Sequence, residues 1–207
     1  EKQKELEQLK RASSQLSLSA QTRKTSRVDE HLDLDLYEQF LDKASADAVH
    51  CALELDAMQH PERWSHPDFP PNKRSNVSYG DVVYARKVAW PWQDAPIELL
   101  QLKDLVEQAT GARFNYCVIQ RYPNGSVGIG SHRDREISSG THIAGVSFGA
   151  ERTLKMARGK QAYKIPLPPN SVYVLKPPTN DKWTHAIKKE PSQTQPRFSA
   201  TFRFQPK

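Results

Sequence analysis

The chain has 207 residues and a mass of 23.6 kDa, the size of one domain with extensions. Its 30 Lys and Arg outnumber 24 Asp and Glu, which gives a net charge of +6 and permits a polyanionic partner such as nucleic acid. No apolar run approaches the ~18 residues that span a bilayer, so no membrane partner is expected. Two cysteines exclude a disulfide framework or a cysteine-rich zinc site, and they fit a reducing intracellular compartment, nuclear or cytoplasmic.

The N-terminal part of the chain is polar and basic. Residues 1–27 carry seven Lys or Arg and three Glu. We predict a short helix or a flexible arm here, because charge runs of this kind are usually solvated. Residues 28–35 contain four acids and are predicted to be a linker. The predicted division is an N-terminal extension over 1–35 and one folded domain over 36–207.

Two helices are predicted at the start of the folded domain. Ser45 is a suitable N-cap for the first helix, and a loop rich in Pro and His follows over 59–74. Asp94 is the expected N-cap of the second helix. An apolar stripe that starts at Ile97 is expected to face inward, and Gly111 is expected to end the helix.

The chain changes character after the second helix. Short apolar runs separated by Gly, Pro and Asn turns predict six strands, at 114–122, 143–148, 153–156, 163–167, 171–175 and 198–204. Several short strands at regular spacing are typical of a sandwich or barrel. The coarse prediction is therefore helices first and an all-β half after them.

The His-x-Asp pairs of the sequence have the spacing of metal ligands. On a strand, such a pair sets an imidazole and a carboxylate on one side, and a second His completes the two-His-one-carboxylate face of non-haem Fe(II) sites. The chain has three such pairs: His31 with Asp33, His66 with Asp68, and His132 with Asp134. Only the third follows a predicted strand and has a His about fifty residues downstream, His185. We therefore predict His132, Asp134 and His185 as metal ligands and catalytic centre.

The last predicted strand places two arginines on one face. Along this strand the residues facing one side are Arg197, Ser199, Thr201 and Arg203, and those facing the other are Phe198, Ala200 and Phe202. Two guanidiniums that face one interior are costly unless an anion meets them. Because Arg forms bidentate pairs with carboxylates, a dicarboxylate is a good candidate for that anion.

Five segments in order carry a family resemblance. They are QRY at 120–122, IGSHRD at 129–134, VSFGAER at 146–152, WTH at 183–185 and RFSATFR at 197–203. Together they resemble the AlkB family of Fe(II)/2-oxoglutarate-dependent dioxygenases, which demethylate nucleic-acid bases, and most of all its eukaryotic DNA-repair members. The resemblance covers about residues 77–205. It implies an α+β fold with a double-stranded β-helix (jelly-roll) core flanked by N-terminal helices.

The resemblance also implies roles for individual residues. Fe(II), 2-oxoglutarate and O2 would be used, with His132, Asp134 and His185 as the iron ligands. Residues expected to line the 2-oxoglutarate site are Gln120, Tyr122, Arg197, Ser199, Thr201 and Arg203, where Tyr122 and Arg197 match those that hold the distal carboxylate. Gln120 and Ser199 stand at positions where relatives more often have Asn. Glu136 matches an acidic residue that contacts the exocyclic amine of the base.

The substrate-gripping region departs from the family pattern. Residues 84–87 (YARK) resemble the start of the family's nucleotide-recognition lid, but the chain then reaches AWPW at 89–92, so the lid is shortened or rebuilt. The predicted substrate contacts are Tyr84, Arg86, Lys87, Trp90, Arg133, Arg135 and Glu136. Aromatic residues here would stack on a flipped base, and the cations would meet phosphates.

The functional prediction is oxidative demethylation of N-alkylated bases of the N1-methyladenine or N3-methylcytosine type, in DNA repair or RNA demethylation, by a monomer. Two alternatives stay open at this point. The altered lid is compatible with a 2-oxoglutarate-dependent hydroxylase or demethylase that acts on a protein or a small molecule. The other alternative is a nucleic-acid binding or scaffold module with a vestigial iron site, although the intact ligand set argues against it.

Overall fold

The structure is a computed structural model that describes residues 15–84, 87–135, 137 and 139–206. Its strands are β1 (Arg23–Asp29), β2 (Leu32–Glu38), β3 (Ser75–Gly80), β4 (Val83–Tyr84), β5 (Lys87–Val88), β6 (Tyr116–Tyr122), β7 (Ile129–His132), β8 (Ile143–Gly149), β9 (Arg152–Arg158), β10 (Gln161–Leu167), β11 (Ser171–Leu175), β12 (Thr184–Ile187) and β13 (Arg197–Arg203). Its α-helices are α1 (Lys43–Gln59), α2 (Ile97–Thr110) and the short α3 (Thr179–Lys182), with 3₁₀ turns at Pro61–Arg63 and Trp92–Asp94.

The strands form two main sheets. The larger sheet has seven strands in the order β1-β2-β11-β8-β13-β6-β3, and the smaller has four in the order β10-β9-β12-β7. Neighbouring strands in both sheets are antiparallel, and β4 and β5 form a separate two-stranded ribbon. This arrangement confirms the predicted jelly-roll with flanking helices. The six strands predicted from the sequence are all present, with ends shifted by a few residues.

Two hydrophobic cores lie on opposite faces of the larger sheet. One joins that sheet to α1 and α2, and it contains Phe198, Ala200 and Phe202 of β13. The other fills the space between the two sheets and contains Leu154 and Met156 of the smaller sheet together with Trp183, which precedes β12. Because β13 alternates, its odd-numbered polar residues face the space between the sheets.

The predicted linker over 28–35 is wrong, and so is a helix or free arm over residues 15–27, because residues 15–22 already pack and hydrogen-bond against the domain; residues 1–14 lie outside the described part of the chain. Residues 23–38 form the β1–β2 hairpin, and β2 pairs with β11 inside the larger sheet. Leucines and aspartates alternate over residues 32–36, so the leucines enter the core between the sheets, while Asp33 is half-buried and Asp35 is buried on the other face of the strand. Lys24 and Lys176 approach the Asp35 carboxylate to 2.9 and 3.3 Å, which offsets the charge that suggested a solvated linker.

The two long helices occur where they were predicted, with different starting residues. Asp42, not Ser45, caps α1, and its carboxylate accepts a hydrogen bond from the Ser45 N–H at 2.7 Å. The second helix begins after Pro96, not at Asp94, which leaves Ile97 56% exposed at the first position. Gly111 ends it in the left-handed conformation at φ 70°, as predicted. Within the described residues, no helix has the length and apolarity needed to cross a membrane.

Candidate metal and cosubstrate site

Three polar side chains converge at one end of the space between the sheets. His132 ends β7 and lies directly opposite His185 of β12, so the register of two antiparallel strands brings their rings to 4.3 Å between centroids. Asp134 follows two residues after His132. Its Oδ1 lies 3.5 Å from Nε2 of His132 and 3.7 Å from Nε2 of His185. Each of the three residues offers a ligand atom within 4.8 Å of the others, the only such group among the described residues.

Hydrogen bonds orient two of these three side chains, those of His132 and Asp134. Nδ1 of His132 lies 2.9 Å from the Gly130 carbonyl oxygen. A carbonyl oxygen only accepts, so Nδ1 carries the proton and Nε2 presents a lone pair to the centre. Arg203 donates from Nε to Oδ2 of Asp134 at 2.5 Å, which leaves Oδ1 for the side where the histidines lie.

The charge states match the needs of a divalent cation. Burial lowers the pKa of His185 to about 4, so this imidazole is neutral and able to ligate at physiological pH. Burial opposes ionisation of Asp134, but the Arg203 guanidinium and the two histidines together outweigh it and hold the pKa of the carboxyl below its usual range. The hydrogen bond with Asp134 raises the pKa of His132, so a cation that binds here would displace the proton from Nε2 of this ring. With that proton gone, the centre combines an ionised carboxylate with two nitrogen donors.

Two buried arginines lie near the ring of Tyr122, with their guanidinium carbons 5.3 Å (Arg197) and 5.6 Å (Arg152) from its centroid. Arg152 is satisfied, because it donates to several backbone carbonyls and to Glu190. Arg197 is different. It donates from Nη2 to the Ser147 hydroxyl at 2.9 Å, but its Nε and Nη1 have no hydrogen-bond partner among the described residues.

A narrow cavity runs beside the three ligand side chains. Its lining contains Gln120, Tyr122, Ile129, His132, Leu154, Tyr173, His185, Ile187, Ser199, Thr201 and Arg203. The five polar residues predicted from the β6 and β13 segments therefore lie together on it, and the Tyr122 hydroxyl donates to Oε1 of Gln120 at 2.8 Å. Burial of Arg197 behind Tyr122 lowers the pKa of that guanidinium.

Tyr173 is a cavity residue that the sequence did not predict. Its ring lies against Gly145 on the neighbouring strand, so close that a Cβ added at residue 145 would sit 2.2 Å from the ring. Gly inside a strand often marks such a close approach, and Gly145 in the middle of β8 was the available signal. Ser147, which accepts from Arg197, was also missed.

The predicted substrate contacts are not brought together in the same way. Trp90 stacks on Arg63 at 5.5 Å, among residues next to α1, and it does not line the cavity. Arg133 donates to the Asp181 carbonyl at 2.7 Å, and Arg135 is exposed beside the Asp134 ligand.

The other substrate predictions fall outside the described part of the chain. Glu136 and Arg86 are not among the described residues, and for Tyr84 and Lys87 only the backbone of the β4–β5 ribbon is described.

A jelly-roll whose interior combines two His, one carboxylate and a buried cation for an anionic partner defines the class of non-haem Fe(II) oxygenases. Residues 33–203 match the family described as the 2OG-Fe(II) oxygenase superfamily, and the chain belongs to that family. Membership implies Fe(II) as the metal and 2-oxoglutarate and O2 as cosubstrates.

The AlkB resemblance is also confirmed by individual relatives. The human protein named DNA oxidative demethylase ALKBH2 is 38% identical over 146 residues, covering 63% of this chain and 56% of that protein. Human alpha-ketoglutarate-dependent dioxygenase alkB homolog 3 is 30% identical over 184 residues, covering 81% of this chain and 64% of that protein. The matches span 52% to 61% of the three ALKBH2 relatives. The solved structure of OsALKBH1 aligns with a TM-score of 0.62 at 13% identity, covering 88% of this chain and all of that one, which shows the shared fold.

Proposed function

We propose that this protein is an oxidative demethylase of N-alkylated nucleic-acid bases that depends on Fe(II), 2-oxoglutarate and O2. The observation that carries the proposal is the buried Arg197, whose two unpartnered nitrogen groups lie behind the cavity beside the His132–Asp134–His185 centre. Support for the substrate class comes from the names of the relatives and from the positive net charge of +6.

The ligand set fits Fe(II). Two neutral imidazoles and one carboxylate suit this ion, and three protein ligands leave open positions on it. His132 and His185 would bind through Nε2 and Asp134 through Oδ1, because Oδ2 is occupied by Arg203. When bound, the iron, 2-oxoglutarate and O2 supply the oxidation of an N-methyl group, which is then lost as formaldehyde.

The interior strand face fits 2-oxoglutarate. Arg197 has two nitrogen groups without a partner that could donate charge-assisted hydrogen bonds to a carboxylate, and its guanidinium carbon lies 5.3 Å from the centroid of the Tyr122 ring. Gln120, Ser199 and Thr201 continue the polar face toward Arg203 and the metal end. The protein thus binds the cosubstrate along β13, orients it toward the three ligands and excludes bulk water from the cavity.

The nucleic acid would approach the metal end of the two sheets. Three exposed cations lie on segments that adjoin this end: Arg135 after Asp134, Lys160 in the β9–β10 turn and Lys182 in α3 before His185. Cations in such positions contact phosphates and position a strand without reading its sequence. A methylated base would leave the stack to reach the iron.

The proposal is tested with purified protein, Fe(II), ascorbate and 2-oxoglutarate on oligonucleotides that carry N1-methyladenine or N3-methylcytosine, as single- and double-stranded DNA and as RNA. Mass spectrometry should show loss of the methyl group and release of formaldehyde, and both should vanish in His132→Ala. Absence of methyl loss on every oligonucleotide would refute the nucleic-acid substrate. Continued consumption of 2-oxoglutarate in that case would favour a protein or small-molecule substrate.

We further infer that the protein acts as a monomer in a reducing compartment, nuclear or cytoplasmic. Both cysteines, Cys51 and Cys117, are buried, and neither forms a disulfide. Light scattering at several concentrations should give the mass of one chain. A mass of two chains at micromolar concentration would refute the monomer.

A further inference from the structure

The side chain of Asn180 forms two hydrogen bonds with the backbone of Asp134, the residue that provides the carboxylate ligand. This buried amide lies in α3, between β11 and β12. Its Oδ1 accepts a hydrogen bond from the Asp134 N–H at 3.0 Å, and its Nδ2 donates to the Asp134 carbonyl at 2.8 Å. The two bonds together hold both backbone polar groups of Asp134, 46 residues away in sequence.

These two hydrogen bonds take the place of the strand pairing that the Asp134 backbone lacks. The strand β7 ends at His132, so the ligand carboxylate comes from irregular chain just beyond the sheet. A backbone without ladder hydrogen bonds is free to move, and its polar groups need other partners. Asn180 supplies both partners, which fixes the point from which the Asp134 side chain reaches the two histidines.

The segment that carries Asn180 is itself tied to the N-terminal hairpin. The Thr179 hydroxyl accepts from the Asp33 N–H at 2.8 Å and donates to the Asp33 carbonyl at 3.1 Å. On the other side, Trp183 donates from Nε1 to the Glu30 carbonyl at 3.0 Å. A continuous set of hydrogen bonds therefore runs from the hairpin through α3 to Asp134.

We propose that Asn180 is a positioning residue of the metal centre, which it serves by holding the Asp134 backbone so that Oδ1 faces both histidines. The inference rests on the proposed role of Asp134 as an iron ligand. Groups that orient a metal ligand commonly contribute about 10- to 100-fold in metal affinity. The hairpin β1–β2, through Thr179 and Trp183, acts as the support for this positioning.

A second asparagine provides a matched control. The side chain of Asn170 forms the same pair of hydrogen bonds with the backbone of Leu41. It accepts from the Leu41 N–H at 2.9 Å and donates to the Leu41 carbonyl at 2.7 Å. It lies in the turn between β10 and β11 and does not line the metal cavity. Because Asn170 has φ 61°, which glycine adopts readily, Asn170→Gly removes both hydrogen bonds without adding backbone strain.

The experiment titrates Co(II) into the full chain in the absence of nucleic acid and follows the visible absorption of the bound ion, with the melting temperature of each metal-free variant alongside. Asn180→Ala removes both hydrogen bonds, and Asn180→Leu removes them while keeping the bulk of the side chain. Both variants should bind Co(II) about 10- to 100-fold more weakly than the parent protein. Asn170→Gly should lower the melting temperature and leave Co(II) affinity within about twofold of the parent.

Parent-like Co(II) affinity in a folded Asn180 variant would overturn the inference. Equal loss of affinity in Asn170→Gly would also overturn it, because the effect would then follow general stability. Failure of the parent protein to bind Co(II) would instead refute the proposed iron site itself, so the two failures are distinguishable.

Discussion

Replacing Arg197 should separate cosubstrate binding from folding. In Arg197→Met the cavity loses the cation that we assign to the distal carboxylate of 2-oxoglutarate. Truncating one partner of a buried, hydrogen-bonded charge pair costs about 2–5 kcal/mol, which corresponds to roughly a 30-fold to several-thousand-fold weaker affinity. In the absence of metal and cosubstrate, the same substitution should leave the free energy of unfolding unchanged or raise it. Each buried unpartnered donor costs about 1–3 kcal/mol, and the substitution removes two such groups from Arg197.

The assay is thermal unfolding with Mn(II) in place of Fe(II), so that no turnover occurs. At 2-oxoglutarate equal to 100 times its dissociation constant, the parent protein should gain about 2.7 kcal/mol. For a chain of this length that is about 5–11 °C in melting temperature, at ~2–4 °C per kcal/mol. At the same concentration Arg197→Met should gain less than about 1 kcal/mol, while its melting temperature without cosubstrate should equal or exceed that of the parent.

The control for this prediction lies one strand away. Arg121 of β6 is paired in register with Phe198, and its guanidinium stacks on Phe69 in the helix layer at 5.4 Å. Arg121→Met should keep the full response to 2-oxoglutarate. The reasoning is refuted if Arg197→Met retains the parental shift, or if Arg121→Met loses it as well.

Three further predictions concern residues outside the ligand set. Gly145→Ala should push the Tyr173 ring into the cavity, lowering stability by about 1–3 kcal/mol and weakening 2-oxoglutarate binding; unchanged urea midpoints and affinity would contradict it. At Glu190 burial favours the neutral acid, but hydrogen bonds from Thr153 and Arg152 outweigh it and lower the pKa. The parent protein should therefore be more stable than Glu190→Gln by its full margin at pH values above the unfolded pKa of ~4.5. That margin should vanish as the pH falls through the lower pKa of the folded state. A difference in urea midpoints that does not change with pH would refute this prediction. Asp42→Ala should cost about 1 kcal/mol in chemical unfolding, through loss of the α1 cap, and leave demethylation intact.

The sequence predicted the strand-rich half of the fold well, because its strands are short, apolar and separated by clear turn residues. It also indicated the metal centre, since only one His-x-Asp pair lies at a strand end with a later His. Strand alternation placed Arg197 and Arg203 on one interior face, and the structure places Arg203 against the cavity and Arg197 behind Tyr122.

Other features depended on contacts that no local pattern encodes. The acids of β2 resembled a solvated linker because the lysines that offset them come from elsewhere in the chain, Lys24 from β1 and Lys176 from the residue after β11. Asn180 carries no signal of its own, because its partner Asp134 is distant in the chain. Trp90 resembled a residue that stacks on a base, but the guanidinium of Arg63, from a separate turn, already lies over its ring.

Because His132 and His185 are direct register partners, the two ligands meet only when β7 and β12 are correctly aligned. Side chains alternate between the faces of a strand, so slippage of β12 against β7 by one residue would turn one imidazole away from the other. The ladder already shifts register between His185 and Ile187, so the correct alignment is specific to the ligand pair. Metal affinity therefore reports whether these two distant segments have paired in the correct register. Chains in which β12 is shifted against β7 would form a fraction of the protein that does not bind the ion.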